Sequence, residues 1–450
     1  MREFDVVVLG AGAAGEVTAG RLGQNGLSVA LVEQALVGGD CSYYACMPSK
    51  ALLRPVELAN EVRRVPGLEA SPIDTAAVLR RRDEVIHNLD DSGQLPWLET
   101  RGVTLVRGRG RITGELTLAV EGQEPLRARR AVVVATGSTP LIPDIPGLRE
   151  ARPWTSREAT TAKAVPASLA ILGGGIVGVE MAQAWGALGS RVTLIHRGQG
   201  LIEREEPFAG EQVLSALREL GVDVRLGVSA TRVARDGLCS LALGDGSSVE
   251  ADELLVAIGR KPGTSGIGLE ELGLPTDRPL EVGDDLRVPG RDWLFAVGDV
   301  NGRVQLTHMG KYQGRLVADA ILGRELRLRS DGGRSPRVIF TDPQVGAVGL
   351  TLAAAQAEGL RVRHVDVETS GNAGGSFVGR GAPGTSRIVV DEDRRVIVGA
   401  TITGAEVAEA LHAATIAVVA EVPLDDLWHA VPSFPTRSEL WLRLLEAYGL

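Results

Sequence analysis

Cysteine is scarce: the 450 residues hold three, at positions 41, 46 and 239. A secreted fold stapled by disulfides needs more of them, so this usage points to a reducing compartment, and a cytoplasmic protein is expected. Long apolar runs are missing too. No stretch approaches the ~18 uncharged residues of a membrane span. The opening MREFDVVVLG carries one Arg before an apolar run that stops at Gly10, which reads as a buried strand and not as a signal peptide. There is no basic arm, and the net charge of −9 argues against a nucleic-acid partner. Metal spacings are absent as well, since Cys239 is remote and neither a CxxC pair nor a His cluster accompanies the other cysteines. Glycine is what abounds, at 57 residues, which suits tight turns around nucleotides. The length exceeds one ordinary core and predicts roughly two to four domains.

Two stretches have the form strand, glycine turn, helix, strand. In the first, strand Asp5–Leu9 leads into Gly10-Ala11-Gly12-Ala13-Ala14-Gly15, a helix to Leu22 and a strand Ser28–Val32 that ends on Glu33. Glycines there let the backbone approach a pyrophosphate at the helix N-terminus. A carboxylate about 20 residues further on can hold a ribose 2′-hydroxyl, and Glu33 stands at that distance. In the second, strand Leu169–Leu172 leads into Gly173-Gly174-Gly175-Ile176-Val177-Gly178, a helix through Leu188 and a strand Arg191–Ile195. Recurrence of the unit predicts two nucleotide-type domains and two ligands. No acid ends this second strand. His196 and Arg197 stand there, with Arg204 a little further on, and an Arg at this point favours a 2′-phosphate and so NADPH, with NADH also possible. Strand Glu253–Ile258 and Gly259-Arg260-Lys261-Pro262 close the unit.

Directly after the first unit comes Gly38–Lys50, GGDCSYYACMPSK. Two thiols this close suggest a pair that opens and closes as a redox disulfide. Five residues of straight helix rise ~7.5 Å, whereas bridged cysteines keep their Cα atoms within ~6.8 Å. A bridge therefore requires a bent segment, and Pro48 fits a bent or starting helix. Two buried thiols with no bridge are the plain alternative.

The remainder fills in the architecture. Ala51–Asp91 reads as a helical connection with a solvated face, and short strands are expected near Val103–Val106, Arg111–Ile112 and Leu116–Val120. Ala131–Ser138 reads as a buried strand stopped by a glycine turn at Gly137, and Pro140–Pro153 as a linker. Trp293–Asp299 is another buried strand, and an Asp at its end can accept hydrogen bonds from a cofactor polyol. A helix is expected over His308–Leu322. Beyond the linker Ser330–Pro336, an α+β domain has strands near Val338–Phe340, Arg361–Val367, Thr385–Val390 and Val396–Ile402, with helices at Leu352–Glu358, Ala405–Val419 and from Ser438. The fold class is α/β: two Rossmann-like dinucleotide-binding domains and a C-terminal α+β domain. The boundaries are residues 1–150 and 263–333 for the first nucleotide domain, 151–262 for the second and 334–450 for the last.

Across essentially its whole length the chain resembles the flavoprotein pyridine nucleotide–disulfide oxidoreductases, the family of dihydrolipoamide dehydrogenase, glutathione reductase, mycothione reductase and mercuric reductase. The resemblance rests on GAGAAG with Glu33, GGDCxxxxCxPSK, VVVATGS, GGGIVG with Glu180, FAVGD, and VIFTDPQVGAVGL at Val338–Leu350. It implies FAD on the first unit, a nicotinamide nucleotide on the second, and a homodimer whose active sites draw on both subunits. Cys46 would be the thiol against the flavin and Cys41 the interchange thiol, with Lys50 and Glu180 paired near the flavin ring and Asp299 on FAD. The further cofactor contacts it implies are Ala14, Gly39, Thr136, Gly137, Thr307 and Gly259.

One departure stands near the C-terminus. Disulfide-reducing members carry His-Pro-Thr followed by Ser-Glu, and the His moves the proton of the exchanging thiol. This chain reads Phe434-Pro435-Thr436-Arg437-Ser438-Glu439, and phenylalanine moves no proton. Glu439 is kept without its His, and the spacing of His429 gives no reason to expect a substitute there. Mercuric reductases also lack the His, but their C-terminal cysteine pair is missing from Glu446–Leu450. Tyr43 and Tyr44 form an aromatic wall beside the disulfide or pack in an interface. Three readings stay open for the small-molecule acceptor and role: a reductase of small disulfides, a reductase of quinones or metal ions, and a dihydrolipoamide dehydrogenase-type flavoprotein subunit.

Overall fold

The computed structural model describes residues 1–382 and 384–450. They form two compact units, each drawn from three stretches of chain. Met1–Pro48, Asp83–Leu141 and Arg260–Gly332 make the first, and Ser49–Arg82, Ile142–Gly259 and Gly333–Leu450 the second.

The first unit is built on a sheet whose main strands lie in the order Arg287–Val288, Arg291–Ala296, Leu126–Val134, Arg2–Leu9, Val29–Glu33 and Val103–Arg107. All neighbours are parallel except the edge pair formed by the first two. Strands covered on both faces become continuous apolar runs, which is why Val6–Leu9 and Val132–Val134 are buried throughout. Helix Ala13–Gln24 follows the first glycine turn, and helix Thr307–Ile321 packs on it closely. Small residues permit that approach: a Cβ at Gly310 would lie 3.3 Å from the Ala14 Cβ, and one at Gly314 2.6 Å from Thr18 Oγ1. Strands Gly110–Gly114 and Thr117–Val120 extend the sheet antiparallel.

The second unit holds a parallel sheet ordered Asp223–Leu226, Arg191–His196, Ser168–Leu172, Glu253–Val256, a three-stranded antiparallel meander over Ala230–Ala251, and a five-stranded antiparallel sheet. That last sheet runs Arg337–Ile339, Gln344–Gly349, Val396–Gly404, Thr385–Asp391, Val362–Glu368, covered by helices Val407–Val419 and Glu439–Tyr448. The two expected nucleotide-type sheets and the C-terminal α+β layer are thus all present. No helix among the described residues is long and apolar enough to cross a membrane.

The stretch 51–91 is helical as expected, over Cys46–Arg64 and Thr75–Val85, but it is more than a connection with a solvated face: its Leu52, Leu53, Val78 and Leu79 belong to the second unit's core. Even Arg82 is fully buried, its guanidinium donating to the carbonyls of Thr160 and Ala162. Strand Gln344–Gly349, buried at every residue, was not expected because Gly346 and Gly349 are poor strand formers. Gly349 is needed for close approach: a Cβ there would stand 2.2 Å from the carbonyl oxygen of Val398. The meander over 230–251, which holds the buried Cys239, was likewise unexpected.

Candidate active site

In the first unit the glycine turn and the cysteine segment are built against each other. Gly10 has φ +104°, and a Cβ there would collide with the Ala135 carbonyl oxygen at 2.4 Å; one at Gly15 would stand 1.9 Å from the Gly10 oxygen. A Cβ at Gly12 would meet nothing within 4 Å, so the turn leaves room for a phosphate there at the start of the helix. Glu33 ties this turn to its strand, accepting the Ala11 and Ala35 N–H groups at 2.7 Å each. Gly38 then donates to the Ala11 carbonyl at 2.8 Å, and a Cβ at Gly39 would lie 2.8 Å from the Gly12 Cα. These contacts start the short helix Gly39–Tyr43, which carries Cys41.

Cys46 opens the next helix, Cys46–Arg64, and Lys50 follows one turn along it. The break between the two helices supplies the required bend. Both cysteines are half-buried thiols, and Cys41 hydrogen-bonds Cys46. That bond, together with burial, drives the Cys41 thiol well above the ordinary range, against the opposing pull of Thr307 and Lys311. Cys46 Sγ lies 3.3 Å from Thr307 Oγ1, at the start of helix Thr307–Ile321. Tyr43 packs inward with its hydroxyl buried and unpartnered, and Tyr44 tilts against it at 6.4 Å.

A polar network joins the cysteine segment to Asp299. Arg260 donates to Asp40 Oδ2 and to Ser138 Oγ, both at 2.6 Å, and to the Ser138 carbonyl at 2.8 Å. Ser138 in turn donates to Asp299 Oδ2 at 2.5 Å. Burial raises the Asp299 carboxyl above its usual range, while Ser138 and Arg260 pull it down. Thr136 donates to the Gly263 carbonyl at 2.7 Å, and Gly137 turns at φ +67°. The open cradle at Gly12, the helix start behind it, Glu33, Asp299 and Thr307 suit FAD, whose pyrophosphate, ribose and polyol need such groups.

In the second unit the ammonium of Lys50 reaches the Glu180 carboxylate at 2.7 and 3.0 Å. Glu180 is buried and also accepts the Phe340 N–H at 3.0 Å, while Lys50 lies 4.7 Å over the Phe340 ring. The second glycine turn repeats the first: a Cβ at Gly173 would meet the Ala257 oxygen at 2.4 Å, one at Gly178 the Gly173 oxygen at 1.9 Å, and one at Gly175 nothing within 4 Å. The same open cradle at a helix start suits a second dinucleotide. His196 Nδ1 accepts the Gly174 N–H at 3.1 Å; Arg197 beside it is exposed. Gly259 leaves the last strand of this sheet at φ +141°.

The C-terminal residues lie elsewhere in that unit. Phe434 is 77 % exposed, as are Val431 at 83 % and Phe377 at 72 %. Glu439 is buried and accepts the Gly374 N–H at 3.4 Å, and His429 is exposed. Among the described residues no cluster of three metal-ligating side chains occurs. Sequence reasoning missed Asp40, Arg260 and Phe340 as site residues. The Gly-Arg-Lys-Pro turn was the one available signal, but nothing in it announces a partner 220 positions away.

Two family models match the chain. One, described as pyridine nucleotide-disulphide oxidoreductase, matches residues 4–314, and one described as that family's dimerisation domain matches residues 335–444. The chain is 32 % identical over 461 residues to a dihydrolipoyl dehydrogenase of Halobacterium salinarum, covering 98 % of this chain and 95 % of the relative. It is 30 % identical over 446 residues to a mercuric reductase of Staphylococcus aureus, covering 97 % and 81 %. Among solved structures, the HOCl-induced flavoprotein disulfide reductase RclA from Escherichia coli superposes with a TM-score of 0.86 at 25 % identity, covering 98 % of this chain and 99 % of that one.

Proposed function

This chain belongs to the pyridine nucleotide–disulphide oxidoreductases, and from that premise we propose that it passes electrons from NAD(P)H through FAD to the Cys41–Cys46 pair and on to a small disulfide or a related acceptor. The observation that carries this reading is the thiol pair itself: Cys41 hydrogen-bonded to Cys46, and Cys46 at 3.3 Å from Thr307 on a helix packed against the one that follows the first glycine turn. Bound FAD supplies the two-electron relay between the nicotinamide nucleotide and the cysteines. Residues 1–150 and 263–333 hold it, with Gly10, Gly12, Gly15, Glu33 and Asp299 as its main contacts. Residues 151–262 take the nucleotide on Gly173–Gly178, and residues 334–450 pair two subunits into a cytoplasmic homodimer.

The thiol chemistry balances as follows. Two electrons and two protons open the Cys41–Cys46 disulfide to the dithiol. Cys41 gives up its proton as it attacks an acceptor disulfide and forms a mixed disulfide, and the displaced thiolate takes up that proton and leaves as a thiol. Cys46 then attacks Cys41 in the same way, re-forms the internal bridge and releases the second thiol. Thr307 Oγ1 can donate to the Cys46 thiolate, and Lys50, fixed by Glu180, supplies a positive charge one turn along the same helix.

Phe434 favours a second reading. No acid or base stands at that position, so an acceptor that needs no positioned base, such as a quinone that takes its protons from water or a thiol-binding metal ion, suits the site. Anaerobic titration of the FAD-loaded protein with NADH and NADPH tests the proposal. A long-wavelength charge-transfer band after two electrons is expected, lost in Cys46→Ser. Direct bleaching of the flavin without that band overturns the role of the cysteines. Cys41→Ser is expected to abolish disulfide turnover, and full activity there would exclude disulfide exchange.

A further inference from the structure

Strand Arg191–His196 ends in sequence without an acid, yet in space a carboxylate stands at its end. The turn that follows folds back and places Glu203 Oε2 3.7 Å from His196 Nε2. Glu203 Oε1 accepts the backbone N–H groups of Gln199 at 3.0 Å and Gly200 at 3.2 Å. The Gly200 N–H first, then His196 and the Gln199 N–H, hold this carboxyl below the usual range, so it is ionised at neutral pH.

His196, by contrast, is spent on the fold. Its Nδ1 accepts the Gly174 N–H, and its ring packs so closely that a Cβ at Gly174 would stand 2.8 Å from His196 Cγ. With Nδ1 accepting, the ring proton sits on Nε2 and faces Glu203. Arg197 is exposed on the same turn. In dinucleotide folds a carboxylate at this strand end holds the ribose 2′-hydroxyl, while an Arg nearby accommodates a 2′-phosphate. This turn carries both.

We propose that Glu203 is a specificity-determining residue: it takes the part of the missing strand-end acid, accepts the 2′-hydroxyl of NADH, and offsets the attraction of Arg197 for a 2′-phosphate, so that the enzyme uses NADH and NADPH side by side. The inference rests on the reading of Gly173–Gly178 as the nicotinamide-nucleotide turn.

Calorimetry on the FAD-loaded protein tests it, with ADP and 2′,5′-ADP as probes. Glu203→Gln keeps an oxygen for the two N–H groups and removes the charge; Glu203→Ser gives the same readout if the amide disturbs the turn. Loss of one like charge beside a phosphate is expected to tighten 2′,5′-ADP about tenfold, and loss of the charged acceptor of the 2′-hydroxyl to weaken ADP about threefold. The kcat/KM for NADPH should rise by the same factor through KM. Unchanged 2′,5′-ADP binding, or equal tightening of both probes, overturns the role of Glu203. If the unsubstituted protein binds neither probe, the nucleotide turn itself is misread and the proposal falls with it.

Discussion

The Lys50 ammonium lies 2.7 and 3.0 Å from the two oxygens of Glu180, whose side chain is 4 % exposed while that of Lys50 is 34 % exposed. The Phe340 N–H shares the carboxylate. Removing the carboxylate strands one cation and one backbone donor. Glu180→Ala is therefore expected to lower stability by about 1–3 kcal/mol. Thermal unfolding of the FAD-loaded protein reads this, and a melting point within a degree of the parent would contradict the pairing. Glu180→Gln, which spares the Phe340 contact, should lose less stability.

Glu16 sets a pH slope. Burial pushes its carboxyl up to about 7, with Lys311 pulling down and Glu33 pushing up. A carboxyl raised in the folded state stabilises the fold in its protonated form. That contribution is complete below the ordinary value of 4.5 and is lost as pH rises to about 7. The loss is at most about 3 kcal/mol. Denaturant unfolding between these pH values should show the decline, and Glu16→Gln should flatten it. A slope unaltered in that variant would assign the effect to another group.

Phe434→His should raise turnover of a small disulfide near neutral pH by at least about tenfold, since a positioned base contributes that much or more. Phe434 is 77 % exposed on the single chain, so the replacement leaves the packing within that chain untouched. If the rate does not move, the missing base is not what limits the chemistry, and quinones or metal ions become the acceptors to try.

Arg260→Gln should loosen the cysteine segment. The guanidinium holds Asp40, next to Cys41, and Ser138, which holds Asp299. Its loss leaves those partners short of a charged donor in a largely buried place. Faster alkylation of Cys41, by roughly tenfold, and weaker FAD retention are expected together. Unchanged alkylation would mean that the segment is held by its glycine contacts alone.

Some of this was legible in the sequence because it is local. Gly10–Gly15 and Gly173–Gly178 each lie between a strand and a helix, and the strands, helices and cysteine segment around them follow from short-range pattern. The rest depends on contacts that no short window contains. Asp40 and Arg260 meet across 220 positions, and Glu203 reaches the end of a strand only because its turn folds back. The stretch 51–91 was legible as helix, but its buried face was not. Its charges are conspicuous, but Leu52, Leu53 and Leu79 decide where it sits, and Arg82 is buried because two carbonyls receive its guanidinium. Strand Gln344–Gly349 was hidden by its two glycines, of which Gly349 serves close packing.

Both glycine turns end on a position where an added methyl would lie 1.9 Å from a carbonyl oxygen, Gly15 against Gly10 and Gly178 against Gly173. Every one-base change of a glycine codon that alters the amino acid introduces a side chain or a stop signal. Neither turn therefore has a mutational neighbour that preserves it, and each is closed to gradual drift. A lineage that stopped needing one of the two ligands would show the release first at these codons, while the other turn stayed fixed.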